Sequence, residues 1–143
     1  MNSIGFTGTQ THLTCQQHTA LQVALERAIF AGGENFHHGD CKGADAAAAK
    51  IAKELGLHVV GHPPDNPQKR AFFKSDDTWP EKPYRDRNAD IVGCADWLIA
   101  CPRGAEAKLP YSGTWMTVRM ARKLKRPILI IWPDGRKEWE NAG

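Results

Sequence analysis

The sequence predicts an α/β domain, a Rossmann-like three-layer sandwich whose mostly parallel five-stranded sheet carries helices on both faces. Three observations lead there. Five short apolar or β-branched runs alternate with four stretches of helical spacing. Each helical stretch is long enough to carry the chain back over a sheet before the next parallel strand. Polar, glycine-bearing segments follow the first and second runs and precede the fourth helix, on the side where open α/β sheets hold their ligands.

Ile4-Gly5-Phe6-Thr7 is the first strand and ends in Gly8-Thr9-Gln10. A helix follows, because Leu21, Ala24, Leu25, Ala28 and Ile29 paint one helical face, with Thr14 placed as N-cap and Gly32-Gly33 as the stop. Asn35 to His38 is the second strand, set by its position between that double glycine and a polar turn. The second helix spans Ala44 to about Leu55, closed by Gly56, and its alanines permit close approach to a sheet. His58 to His62 is the third strand. From Pro63 to Pro83 the pattern lapses into a proline-rich segment carrying Phe72, Phe73 and Trp79. A loop of that length is either a lid over a ligand or a segment pinned by its aromatics. Tyr84 to Cys94 resumes helical spacing, Trp97 to Cys101 is a strand apolar on both faces, and Ser112-Gly113-Thr114 opens a fourth helix. Pro127 to Trp132 is the fifth and most apolar strand, which sets the domain at residues 1–132 and a polar C-terminal tail at 133–143.

Composition narrows the function classes. The 143 residues suit one domain, and 19 basic against 16 acidic residues leave a formal charge of +3. That balance argues against a sequence-independent nucleic-acid or membrane binder and is compatible with a small anionic ligand. No apolar run approaches the roughly 18 residues that span a bilayer, and no signal-type N-terminus is visible, so a cytoplasmic protein is expected. Cys15, Cys41, Cys94 and Cys101 contain no C-x-x-C pair, and among them Cys41 alone sits where a thiol meets a ligand. Histidines at 37, 38, 58 and 62 show no zinc-type spacing, so neither a metal site nor a cofactor is expected. The basic cluster Arg119, Arg122, Lys123, Lys125 and Arg126 complements the end of the fourth helix as a solvated face.

The organising stretch is His37-His38-Gly39-Asp40-Cys41-Lys42-Gly43-Ala44-Asp45. Its glycines and the helix N-terminus behind them suit a phosphate cradle with Lys42 as an adjustable cation. The alternative is an ordinary strand-to-helix loop in which Asp45 caps its own helix. Convergence with Thr7-Gly8-Thr9 and Ser112-Gly113-Thr114 at one sheet rim favours the first reading.

His38-Gly39-Asp40, Lys42 to Asp45, Arg87-Asn88, Ala95-Asp96-Trp97-Leu98-Ile99-Ala100 and Ser112-Gly113-Thr114 together resemble the SLOG superfamily, in particular its small YAcAr-like members. That superfamily also holds the lonely-guy phosphoribohydrolases, the DNA-processing protein DprA and nucleotide-sensing modules of bacterial defence systems. The resemblance implies a Rossmann-like fold binding a nucleotide-derived small molecule, with phosphate at Ser112-Gly113-Thr114. The implied ligand-binding set is Thr7, Gly8 and Thr9; Gly39, Asp40, Lys42, Gly43, Ala44 and Asp45; Arg87 and Asn88; Pro102; and Ser112, Gly113 and Thr114. Two functions follow as alternatives. One is binding, as sensor or sequestering protein. The other is N-glycosidic hydrolysis of a nucleotide, with Arg87 catalytic together with an acidic group among Asp40, Asp45, Asp86 or Glu106. The hydrolases carry a glutamate where this chain has Thr117, and a threonine hydroxyl offers no negative charge at neutral pH. DprA-like association with nucleic acid is a weaker alternative, and a homodimer is the expected assembly.

Overall fold

The computed structural model describes residues 2–142. In chain order the elements are β1 (Ser3–Gly8), α1 (Cys15–Phe30), β2 (Asn35–His38), α2 (Ala44–Glu54), β3 (His58–Gly61), β4 (Asp77–Thr78), α3 (Tyr84–Cys94), β5 (Trp97–Cys101), α4 (Gly113–Lys123), β6 (Ile128–Ile131) and β7 (Lys137–Glu140). The sheet runs β4-β3-β2-β1-β5-β6-β7, parallel throughout except for the antiparallel β6–β7 pair. From β1 the chain steps outward to β4, then returns through α3 to place β5 on the other side of β1. The order therefore reverses between β1 and β5, where such sheets open a ligand crevice.

Side-chain alternation divides the interior in two. Ile4, Phe6, Phe36, Val59, Ile99 and Leu129 pack beneath α1 and α2, with Ala48 and Ala52 fully buried in that contact. Leu98, Ala100, Ile128 and Ile130 face the other way, against Val92 of α3 and Trp115, Val118 and Ala121 of α4. The predicted three-layer sandwich is the fold observed.

The helix signals also hold. The Thr14 hydroxyl accepts from Gln17 N–H at 3.0 Å while Gln17 Oε1 accepts from Thr14 N–H at 3.1 Å, a reciprocal cap. The buried Gln17 amide then donates to the carbonyls of Pro102 and Ile131, each at 3.0 Å, tying α1 to the ends of β5 and β6.

Five predicted strands become seven. β4 is a pair of exposed polar residues inside the proline-rich segment, with Val60 opposite Asp77 and Gly61 opposite Thr78, too short to leave a periodic signal. β7 forms within the polar 133–143 stretch. Its one apolar side chain, Trp139, packs on Trp97 with ring centroids 5.5 Å apart, and Glu140 grips Arg122 through two bonds of 2.8 and 3.0 Å. Arg122 also donates to Glu106 at 2.8 Å, so part of the basic cluster serves as a staple between α4, β7 and the loop after β5.

The 63–83 segment is pinned. Phe73 packs on the core and meets His38 edge-on, Trp79 lies 4.5 Å from the His62 ring, and Asp40 accepts from Arg70 Nε at 2.8 Å and from Phe73 N–H at 2.9 Å. Among the described residues, no helix is long and apolar enough to cross a membrane.

Candidate functional site

A cleft of about 350 Å³ opens at the carboxyl ends of β1 and β5. That volume lies within the range of small-molecule sites, roughly 300–1,000 Å³. Its walls come from residues 6–11, from Cys41 and Asp45, from Tyr84, Arg87 and Asn88 on α3, and from Arg103, Leu109 and the 112–114 turn.

The turn into α4 leaves donors open. Ser112 is extended (φ −68°, ψ 149°), its hydroxyl accepts from Trp115 N–H at 3.1 Å and its carbonyl accepts from Met116 N–H at 3.0 Å. Neither Gly113 N–H nor Thr114 N–H has a protein acceptor among the described residues. These two amides start an eleven-residue helix and border the cleft, where the helix dipole favours negative charge. Trp115 Nε1–H donates to the Gly104 carbonyl at 3.0 Å and fixes the 103–111 loop beside them.

The turn into α2 spends four of its amides on the protein. Asp40 N–H donates to His38 Nδ1 at 3.0 Å, Cys41 N–H to Asp45 Oδ2 at 3.2 Å, Lys42 N–H to the Lys69 carbonyl at 3.0 Å and Ala44 N–H to the Thr9 carbonyl at 3.1 Å. Gly43 takes φ +93°, and any Cβ there would strike the carbonyls of Gln10 and Thr11. Gly39 is needed for a different reason: a Cβ would overlap the Arg87 guanidinium. Four of the amides expected to cradle phosphate, those of Asp40, Cys41, Lys42 and Ala44, are spent on the protein, so that this turn buttresses the cleft; Asp45 accepts from its own turn, and Lys42 is not among the residues lining the cleft.

Arg87 is the centre of the cleft's charge. It is only 5 % exposed, its Nη2 donates to Cys41 Sγ at 3.2 Å, its Nη1 stands 3.8 Å from Asp45 Oδ2, and its plane lies 4.9 Å from the Tyr84 ring. Nε has no partner. A buried guanidinium normally fills its five donors. Here one loose carboxylate and one sulfur leave it under-coordinated. Burial pushes the Asp45 carboxyl up to about 6, against the pull of Arg87 and the Cys41 amide. Burial likewise raises the Cys41 thiol, so it stays protonated at neutral pH, and lifts the Tyr84 phenol to about 12.

Of the sequence-derived set, Thr7, Gly8, Thr9, Asp45, Arg87, Asn88, Ser112, Gly113 and Thr114 line one cleft. Gly39, Asp40, Lys42, Gly43, Ala44 and Pro102 stand behind it: Ala44 is fully buried in the core near β1, where any Cβ on Gly8 would meet its methyl, and the Pro102 carbonyl is taken by Gln17. Gln10, Thr11, Tyr84, Arg103 and Leu109 were missed. Tyr84 was findable, since it precedes Arg87 by three helical positions and shares its face. Among the acidic candidates, Asp45 alone reaches the cleft; Glu106 is held by Arg119 and Arg122, and Thr117 is fully buried with its hydroxyl donated to the Gly113 carbonyl at 2.9 Å.

No protein-family model and no curated protein matches the chain. Solved structures do. The molybdenum cofactor binding protein from the phototrophic bacterium Rippkaea orientalis aligns with a TM-score of 0.70 at 22% identity, covering 92% of this chain and 76% of that one. The Moco carrier protein from Chlamydomonas reinhardtii gives 0.64 at 22%, covering 90% and 75%. DNA processing protein A from Helicobacter pylori, described for its single-stranded DNA binding mode, gives 0.67 at 16%, covering 90% and 64%. These likenesses establish the Rossmann-like α/β fold.

Proposed function

Starting from a Rossmann-like α/β fold, we propose that this chain binds a phosphate-bearing, nucleotide-derived small molecule in the β1–β5 cleft, as a sensing or sequestering protein. The observation that carries this reading is the pairing of an under-coordinated buried Arg87 with the unspent amides of Gly113 and Thr114 in one cleft. An anionic group between them supplies the missing acceptors on both sides. Asn88 and the Thr7–Thr11 hydroxyls provide neutral hydrogen-bonding for sugar or heterocycle.

Hydrolysis is the second reading, and Arg87 is its motivating residue. It is the weaker of the two because Asp45, the one acidic candidate in the cleft, accepts from the Cys41 amide of its own turn, and Glu106 is held in outer ion pairs. The two neighbours named as a molybdenum cofactor binding protein and a Moco carrier protein add that cofactor to the ligands to be tried.

The test is mass spectrometry of whatever the purified protein releases on denaturation. It is paired with calorimetric titration of mononucleotides, cyclic nucleotides, ADP-ribose and molybdenum cofactor. A phosphorylated ligand bound one per chain supports the reading. Silence across the panel, with no released ligand, overturns it. Appearance of free base during incubation moves the assignment to the hydrolase.

A further inference from the structure

A second cluster lies away from the cleft, on the sheet face covered by α3. In β2 the side chains of Phe36 and His38 share one face, and Phe36 packs beneath α1 and α2, so His37 points to the opposite side. His62, directly after β3, reaches the same place: His37 Nδ1 and His62 Nε2 are 2.9 Å apart. Cys94, the last residue of α3, completes the group, and one donor atom from each of the three falls within 4.8 Å of the others.

One further observation distinguishes this cluster from a satisfied histidine pair. His62 is 1 % exposed and its Nδ1 has no hydrogen-bond partner, so whichever tautomer it adopts, one ring nitrogen is left without its counterpart. Asp90, one turn before Cys94 on α3, is itself paired with Lys82 Nζ at 2.7 Å. Tetrahedral zinc with nitrogen at about 2.0–2.1 Å and sulfur at about 2.3 Å sets neighbouring ligand atoms roughly 3.3–3.7 Å apart. The two imidazoles need to open by a few tenths of an ångström and the thiol to close in by about one, movements within the reach of side-chain rotation.

We propose that His37, His62 and Cys94 form a binding site for a divalent transition cation of the Zn²⁺ class, with the fourth position filled by water. Binding deprotonates the Cys94 thiol, whose proton passes to solvent as the sulfur–metal bond forms. The ion braces the end of α3 against β2 and β3. Arg87 lies two turns earlier on the same helix, so the brace fixes the helix that presents it. The inference does not depend on what the cleft binds. Its residues are 25 and 32 positions apart in sequence, which is why no motif announced them.

The experiment is titration of the chelator-stripped full chain with Zn²⁺ and with Co²⁺ as its spectroscopic stand-in. Expected are one ion per chain, the intense visible bands of tetrahedral Co²⁺ and a near-ultraviolet thiolate-to-cobalt charge-transfer band. Cys94→Ser removes that band and weakens binding at least ~10-fold, the scale of losing a well-placed metal-site interaction, and Cys15→Ser changes neither. His62→Ala acts in the same direction. Because His62 is buried, circular dichroism accompanies that variant and Cys94→Ser decides the outcome. No ion taken up by the wild-type chain, or a charge-transfer band that survives Cys94→Ser, overturns the assignment.

Discussion

The turns into α2 and α4 both contribute residues to one cleft, and they look alike in composition: each carries a glycine, a hydroxyl or carboxylate neighbour and a helix behind it. Their backbones differ in one respect. Four amides of the 39–45 turn, those of Asp40, Cys41, Lys42 and Ala44, go to His38, Asp45, Lys69 and Thr9, whereas Gly113 and Thr114, which border the cleft, have no protein acceptor among the described residues. The difference comes from what surrounds each turn. The first is wedged between the β1 loop and the 63–83 segment, whose carbonyls arrive at hydrogen-bonding distance, and it carries a carboxylate of its own. The second has the open cleft in front of it. A glycine-rich helix start is therefore an anion site only when no nearby acceptor has already taken its N–H groups.

The comparison can be broken at the cation between the turns. Arg87→Ala is expected to lower affinity for the phosphorylated ligand at least ~100-fold, since a charge-assisted contact to a buried anion contributes about 3 kcal/mol; titration calorimetry reads this directly. A loss below threefold would place the anion elsewhere. The closed turn is tested through Asp45. Its carboxyl in the folded chain is raised to about 6 from 3.8, so the folded state holds the proton more tightly than the unfolded. Stability from this group is full below pH ~4 and is lost as pH rises through 6, by at most about 3 kcal/mol at 1.36 kcal/mol per pH unit. Denaturant melts between pH 4 and 7 should show that fall, and Asp45→Asn should flatten it.

The open turn is addressed by Gly113→Pro. Proline suits the first helical position and Ser112 is already extended, so the fold is kept while one amide donor vanishes. Affinity should drop about 10-fold, from one charge-assisted bond of roughly 1.5 kcal/mol, with the melting temperature unchanged. The smallest effect is expected at Lys42→Ala. If 39–45 is a buttress, binding changes less than twofold; a drop comparable to that of Gly113→Pro would restore the cradle reading of that turn.

Most of the sheet was legible because buried strands and capped helices leave strong local marks: the Thr14 N-cap, the helix opened by Ser112-Gly113-Thr114 and the continuous apolar runs of β5 and β6 each read correctly. The convergence of three loops at one rim was legible too, because a parallel sheet allows only one end for them. What was hidden depends on partners distant in sequence. β4 and β7 exist through the strands they join rather than through their own residues. Gly39 is present for the clearance of a guanidinium 48 residues away, a constraint that no local pattern encodes. The fate of the Lys42 and Ala44 amides likewise depended on carbonyls supplied by Lys69 and Thr9.

The placement of β7 has a consequence for how the molecule behaves in a crowd. Ile128-Leu129-Ile130-Ile131 is a flat ribbon with every side chain buried, the type of segment that recruits copies of itself when its margin is bare. Lys137-Glu138-Trp139-Glu140 runs antiparallel along that margin and presents charge outward, and at the far margin β4 is only two residues long. Neither side of the sheet offers a template for fibril growth. Cutting the chain after Trp132 would leave the ribbon open, and the shortened protein should form sedimenting, thioflavin-positive aggregates under conditions where the full chain stays dispersed.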